Sequence, residues 1–174
     1  FNDDFQHANW SQNGWVSNQT GHGLGNASIK EVAGSRQLVL KAQAAPSAFN
    51  WESKYAYFIE RPIFSENTTS VSLTFDLNVA GGFSGRDTFA VVVSDPEESK
   101  AIVLSTLEGV FQEYSSAGVI SVTSGMFSFE LSKLWAQKYG SSLPETAVLQ
   151  FITYDFDGNQ NIVYLDNISV IAVP

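Results

Sequence analysis

Cysteine is absent from this 174-residue chain, which excludes a disulfide framework, a thiolate metal site and a thiol nucleophile. Histidine is scarce. His7 and His22 are the only two, both in polar surroundings without H-E-x-x-H spacing, so solvent-facing rings are expected rather than metal ligands. Positive charge is also scarce: 9 basic against 18 acidic residues leave a net charge of -9, which argues against nucleic acid or an anionic membrane as partner. Neutral or cationic ligands suit it better. No apolar run is long enough to span a bilayer, and no signal peptide is evident, so no membrane insertion is expected. G-x-S-x-G, H-E-x-x-H and P-loop patterns are missing as well.

What is present is a chain that is 44% hydrophobic with no interior linker, the composition of one well-buried domain over residues 1–174. It opens at Phe1 rather than Met, and the expectation is a piece of a longer or processed protein. Short alternating or apolar segments separated by Gly, Asn, Asp and Ser clusters read as strands along nearly the whole length. They cover Gln37 to Ala42, Tyr55 to Ile59, Ser70 to Val79, Asp87 to Ser94, Ala101 to Ser105, Val119 to Thr123, Phe127 to Leu131, Ala147 to Tyr154 and Ile162 to Val173. In Ser70 to Val79 the apolar Val71, Leu73, Phe75, Leu77 and Val79 alternate with polar residues, giving one dry and one wet face. Hairpin signals stand at Gly34-Ser35, Asp95-Pro96 and Asp157-Gly158, and Ser17 to Asn26 reads as a long polar Gly-rich loop. One short helix is expected near 132–139, capped by Ser132 and ended by Gly140 and Pro144. The fold class is all-β, a two-sheet antiparallel, jelly-roll-like β-sandwich.

The most informative stretch is the last strand, because it carries a carboxylate among apolar residues. A strict period of two puts Tyr164, Asp166, Ile168, Val170 and Ala172 on one face, and so predicts that Asp166 faces the core. A buried carboxylate needs a cation or a dense shell of hydrogen bonds. Asp155, Asp157, Asn159 and Asn161 resemble the start of a calcium loop but lack a Glu at the twelfth position, and a hairpin is the plainer reading.

Trp51, Tyr55, Tyr57 and Ile59 share strand parity. On an open sheet face such a row makes a platform on which sugar rings stack; on a closed face it is core. Trp51 follows a loop approach, Ala45-Pro46-Ser47-Ala48, and is the candidate for exposure. Of Trp10 and Trp15, which flank the turn Asn13-Gly14, Trp15 is expected in the core and Trp10 at the surface. Arg86 and Asp87 follow a Gly-rich loop and either reach a ligand or anchor that loop, the second being the plainer reading. The sequons, one of them at Asn167 inside a strand, are read as chance.

The opening FNDDF with Trp10 and Gly14-Trp15, and the closing VYLDNISV, resemble the first and last strands of bacterial extracellular β-sandwich domains of the carbohydrate-binding-module type. The middle, from SVSLTFDLNV to AVLQFITYDFDGNQNIVYLDNISV, is similar to related secreted domains of surface and adhesin proteins. The resemblance implies a structural calcium between the first and last strands, at Asp3 through its backbone, Gln6 and Asp166. Gln6 stands where that pattern usually has Glu. It implies a secreted or cell-surface bacterial protein of several domains whose partner is a polysaccharide or other glycan. The function expected is non-catalytic carbohydrate binding, with Trp51, Tyr55, Tyr57, Trp10, Arg86 and Asp87 as candidate ligand contacts. The charge balance favours a neutral glycan. Two other readings stay open: a calcium-stabilised adhesive or structural domain without a sugar site, and a jelly-roll hydrolase or lyase. The latter would need a pair among carboxylates such as Glu52, Glu60, Asp76, Asp87, Glu108, Glu113 and Glu130, since such pairs are defined by distance and not by sequence spacing.

Overall fold

In a computed structural model the chain forms two stacked sheets, and the structure describes residues 1–7, 9–21, 23–45, 55–65, 67–80, 87–105, 116–119 (backbone only), 124–156 and 158–174. The strands are β1 (Asn2–Asp3), β2 (Val16–Thr20), β3 (Gly23–Val32), β4 (Ser35–Ala44), β5 (Tyr55–Phe64) and β6 (Ser70–Val79). They continue as β7 (Thr88–Asp95), β8 (Lys100–Ser105), β9 (Ser116–Val119), β10 (Ser124–Glu130), β11 (Thr146–Asp155) and β12 (Asn161–Val173). Helix α1 spans Leu131–Tyr139, and a 3-10 turn covers Trp10–Asn13. Sheet I runs β10-β6-β12-β4-β3 with β1 added to β12; sheet II runs β2-β5-β11-β7-β8-β9. All pairs are antiparallel except β8 with β9, so the all-β sandwich read from the sequence is the observed fold.

The alternation in β6 does what it predicts: Val71, Leu73, Phe75, Leu77 and Val79 are buried between the sheets. Phe75 of sheet I meets Phe151 of sheet II edge-on, with ring centroids 5.3 Å apart, and Phe151 in turn stacks on Phe89 at 6.1 Å. Each such pair contributes about 0.5–1.5 kcal/mol beyond the area it buries. Trp15 is buried against Phe151 at 5.8 Å, as expected, while Trp10 is half-buried and packs on the edge of the same core.

Four sequence expectations need correction. Residues 17–26 are not one loop: β2 pairs with β5, and β3 forms a ten-residue hairpin with β4 across the Gly34 turn. The glycines there serve close packing. A Cβ at Gly23 would fall 2.6 Å from Tyr55 Cγ, and one at Gly25 would overlap both Tyr55 and Tyr57. The Asp157-Gly158 segment does not close a hairpin either, because β11 lies in sheet II and β12 in sheet I. It is a corner between sheets, tied by Asp155, whose Oδ2 accepts from Ala44 N at 2.7 Å and Oδ1 from Gly158 N at 2.9 Å; Asp157 itself lies outside the described residues. The helix starts at Leu131, and Ser132 does not cap it. Its hydroxyl instead accepts from Val71 N at 2.9 Å, joining the helix to β6. Gly140 ends the helix in the left-handed region as expected. Of the strand predicted over Val119 to Thr123, Val119 is described and ends β9, and 120–123 lie outside the described residues.

The fourth correction concerns Asp166. Val163 and Leu165 point into the core, and so do Ile168 and Val170, which a strict period of two forbids. The register between β12 and β6 shifts between Asp166 and Ser169, where Asn167 adopts φ 50. This bulge resets the parity of the strand. Asp166 therefore lies on the outer face with Tyr164, not in the core, although it is only 6% exposed.

The glycine–tyrosine contacts generate a prediction. Gly25→Ala overpacks the β3–β5 contact and should cost about 1–3 kcal/mol in urea unfolding. An unchanged midpoint would show that the tyrosine rings have room to move.

Candidate functional site

Each sheet has an outer face, and antiparallel sheets of this kind are usually dry inside and polar outside. Sheet II departs from that pattern. With Tyr55, Tyr57, Ile59 and Ile63 of β5 in the core, Ala56, Phe58, Glu60, Pro62 and Phe64 occupy the outer side. The outer positions of β7, β8 and β11 are also apolar: Ala56, Ala90, Val92, Ala101, Val103 and Ile152 form a second buried cluster, with Phe58 and Tyr154 half-buried against it.

Pairing sets these side chains in rows. Phe58 lies opposite Ile152, Ala56 opposite Tyr154, and Glu60 opposite Gln150. Tyr154 stacks on Phe156 with centroids 6.1 Å apart and planes 21° from parallel. Gln150 Nε2 donates to Glu60 Oε2 at 2.6 Å, which holds a carboxylate and an amide in fixed orientation beside the apolar band. Burial pushes the Tyr154 hydroxyl up to about 12, so it stays protonated through the neutral range. Such a surface offers ring faces, a narrow polar row and no cation among these residues. It suits the apolar faces and hydroxyls of a neutral sugar.

Sheet I carries a groove on its outer face, about 230 Å³ in volume, lined by Gln37, Asp76, Leu77, Asn78, Gly125, Met126, Tyr164 and Asp166. Asp76 and Asp166 are direct cross-strand partners. Asp166 Oδ1 accepts from Asn167 N at 2.9 Å and Oδ2 from Ser35 Oγ at 3.1 Å, while Asn167 Nδ2 donates to Asp76 Oδ2 at 2.7 Å. Burial raises the Asp166 carboxyl above the usual carboxylate range, and the neighbouring Asp76 adds to this against the pull of the bonds from Asn167, Ser35 and Gln37.

The candidate residues named from the sequence are distributed as follows. Tyr55 and Tyr57 share a face, but it is the core face, and Tyr55 donates from its hydroxyl to Gln19 Oε1 at 2.7 Å. They are not an open platform, because β3 and its glycines cover them. Asp87 is buried and accepts from Phe156 N at 2.8 Å, so it anchors the chain beside β7 rather than reaching outward. Trp51 and Arg86 lie outside the described residues. Phe58, Tyr154 and Phe156 were not singled out, although the unbroken apolar run in Asp87 to Ser94 signals a strand with two dry faces.

Of the calcium ligands implied by the resemblance, Asp3 through its backbone, Gln6 and Asp166, the carboxylates of Asp3 and Asp166 already accept from protein donors. Asp3 is buried and turned inward, its Oδ1 accepting from Phe5 N at 3.0 Å and its Oδ2 from Trp15 Nε1 at 3.0 Å. Gln6 is exposed, its amide donating to Asp4 O at 3.0 Å. Asp166 opens to the other side of the sheet. The His/Asp/Glu group able to gather round an ion among the described residues is Asp3, Asp4 and His7, with ligand atoms within 4.8 Å of one another. It omits Asp166 and includes an imidazole, whereas calcium takes oxygen ligands. The carboxylates of Asp3 and Asp166 thus do not converge on one ion, the first being turned inward to Trp15 and the second lying on the outer face of sheet I.

No protein-family model matches the chain, and no curated protein matches it in sequence. Solved structures do match in fold. A family 11 carbohydrate-binding module from Clostridium thermocellum, in complex with a β-1,3-1,4-mixed-linked tetrasaccharide, is similar with TM-score 0.57 and 12% identity over 98% of this chain and 94% of that one. The xyloglucanase domain of a type three effector from Sinorhizobium fredii, in complex with cellobiose, gives 0.58 and 13% over 94% and 96%. A xylan-binding domain from Paenibacillus barcinonensis gives 0.53 and 8% over 99% and 93%. At these identities the likeness establishes the β-sandwich fold alone.

Because the charged groups at Asp3 and Asp166 are met by protein donors, chelation should leave the melting temperature unchanged. Scanning calorimetry with and without a calcium chelator checks this, and a fall of several degrees on chelation would restore a stabilising ion.

Proposed function

We propose that the chain is a non-catalytic carbohydrate-binding module that lays a neutral polysaccharide across the outer face of sheet II. The observation that carries this reading is the aromatic band of Phe58, Tyr154 and Phe156 beside the fixed Glu60–Gln150 pair, on a face where a polar surface is the norm. Neighbours in fold support the glycan partner, since one holds a mixed-linked tetrasaccharide, one is a xylan-binding domain and one, a xyloglucanase domain, holds cellobiose; the non-catalytic part of the reading rests on the missing catalytic motifs instead. The net charge of -9 supports a neutral rather than an anionic chain. A place in a secreted or surface-exposed protein of several domains belongs to the same proposal.

Neutral β-glucans and xylans are the first probes. Phe58→Ala should weaken retention in affinity electrophoresis by roughly tenfold or more, corresponding to about 1.4–2 kcal/mol for one stacking aromatic. The fold should persist, and assays for reducing ends and unsaturated products should stay blank. Unchanged retention in a folded Phe58→Ala protein would remove the site from this face. Absence of retention on any glycan would favour the adhesive reading, and steady release of reducing ends would install the hydrolase.

A further inference from the structure

The outer face of sheet II is open to a ligand only in part, and the open part has a direction. Crossing the strands from Phe58, the next partners are Ile152, Ala90 and Ser105; from Glu60 they are Gln150, Val92 and Val103. Ala90, Val92, Ala101 and Val103 are each at most 7% exposed, so on β7 and β8 this face offers a ligand almost no surface. Along β5 the reverse holds. Phe58 and Glu60 are half-buried, Pro62 is exposed, and Phe64 is 72% exposed on the side of the strand that faces away from the core. On one flank Val16 and Asn18 of β2, opposite Glu60 and Phe58, are exposed. On the other, Tyr154 and Gln150 of β11 are half-buried and Thr146, opposite Phe64, is exposed. The accessible ground is therefore a strip that follows β5 between β2 and β11.

The strip has a stacking group at each end. Tyr154 lies level with Ala56, beside Phe58, and Phe64 stands at the far end, with Pro62 and the fixed Glu60–Gln150 pair between them. Phe64 follows Phe58 by six residues on one strand, which at about 3.4 Å per residue sets the two rings roughly 20 Å apart. A disaccharide is too short to cover both. A straight strand keeps the rings on one line, so a ligand that meets both has an extended backbone, and a curled chain leaves the strip between them. Resting on the reading of this face as a glycan site, we infer that the ligand is an extended, linear β-linked glycan lying parallel to β5, and that Phe64 is the distal stacking residue that sets the length of chain recognised. The Glu60–Gln150 pair meets hydroxyls midway along that chain.

The test is isothermal titration of the intact chain with cello- and xylo-oligosaccharides from the dimer to the hexamer, and with maltohexaose, whose α-linkages curl the chain. In at least one β-linked series affinity should rise with length until the chain reaches from Phe58 to Phe64, and maltohexaose should bind at least tenfold more weakly than that hexamer. Phe64→Ala should abolish the rise and weaken hexamer binding about tenfold, whereas Phe58→Ala should weaken every length. Leu24→Ala, at an exposed residue of the other sheet, should alter neither. In the unmodified protein the hexamer should shift the amides of residues 58–64 and 146–154 and spare 90–92 and 101–103, so the test stands even where a variant fails to fold. Weaker binding in Phe58→Ala with the length dependence intact in Phe64→Ala would overturn this inference and leave the glycan reading standing. So would shifts running through β7 and β8, or equal binding of maltohexaose. No binding by any oligomer, or binding indifferent to both rings, would overturn the two together.

Discussion

The bulge in β12 is the constraint on which the arrangement of sheet I depends. By adding a residue between Asp166 and Ser169, it lets Val163, Leu165, Ile168 and Val170 all enter the core, which a regular strand cannot do. The same reset frees the chain's first strand to dock: β4 pairs with β12 as far as Leu165, and β1 takes the following stretch at Ile168 and Ser169. Asp166 holds the bulge from outside through the Asn167 N–H and the Ser35 hydroxyl. One carboxylate thus fixes a backbone irregularity, and its neighbours form a groove as a consequence.

The two exteriors of the sandwich divide their chemistry. Sheet II buries an aliphatic cluster under half-exposed aromatic rings, with one ordered amide–carboxylate pair, so it recognises shape and ring faces more than charge. Sheet I sets the cross-strand carboxylates Asp76 and Asp166, each met by protein donors, beside a small groove. The phenylalanine cluster between them, with Phe75 against Phe151 and Phe89, keeps both faces on rigid strands rather than on loops. Both faces therefore present their side chains at fixed spacing.

Much of the fold was legible because alternation in β6 and apolar runs in β7, β8 and β11 translate directly into burial. Trp15 in the core and the Gly140 helix end followed from the same local rules. β2 and β3 escaped because their polar, glycine-containing sequence matches a loop. Only the tertiary contact with Tyr55 and Tyr57 shows why a side chain is excluded at Gly23 and Gly25. The tyrosine row was grouped correctly by parity, but parity does not say which face is covered. Asp166 was recognised as buried and assigned to the wrong side, since a bulge breaks the period of two without changing composition. The band at Phe58, Tyr154 and Phe156 was missed for a related reason: a second dry face on a strand reads from sequence as more core.

The central claim is that a neutral glycan lies across the outer face of sheet II, and its location on the protein is the direct measurement. In a crystal structure of the chain soaked with a neutral β-linked gluco- or xylo-oligosaccharide, the account predicts sugar rings in contact with Phe58, Tyr154 and Phe156. A sugar seated on sheet I or on the connecting corners, with those three rings untouched, would contradict it.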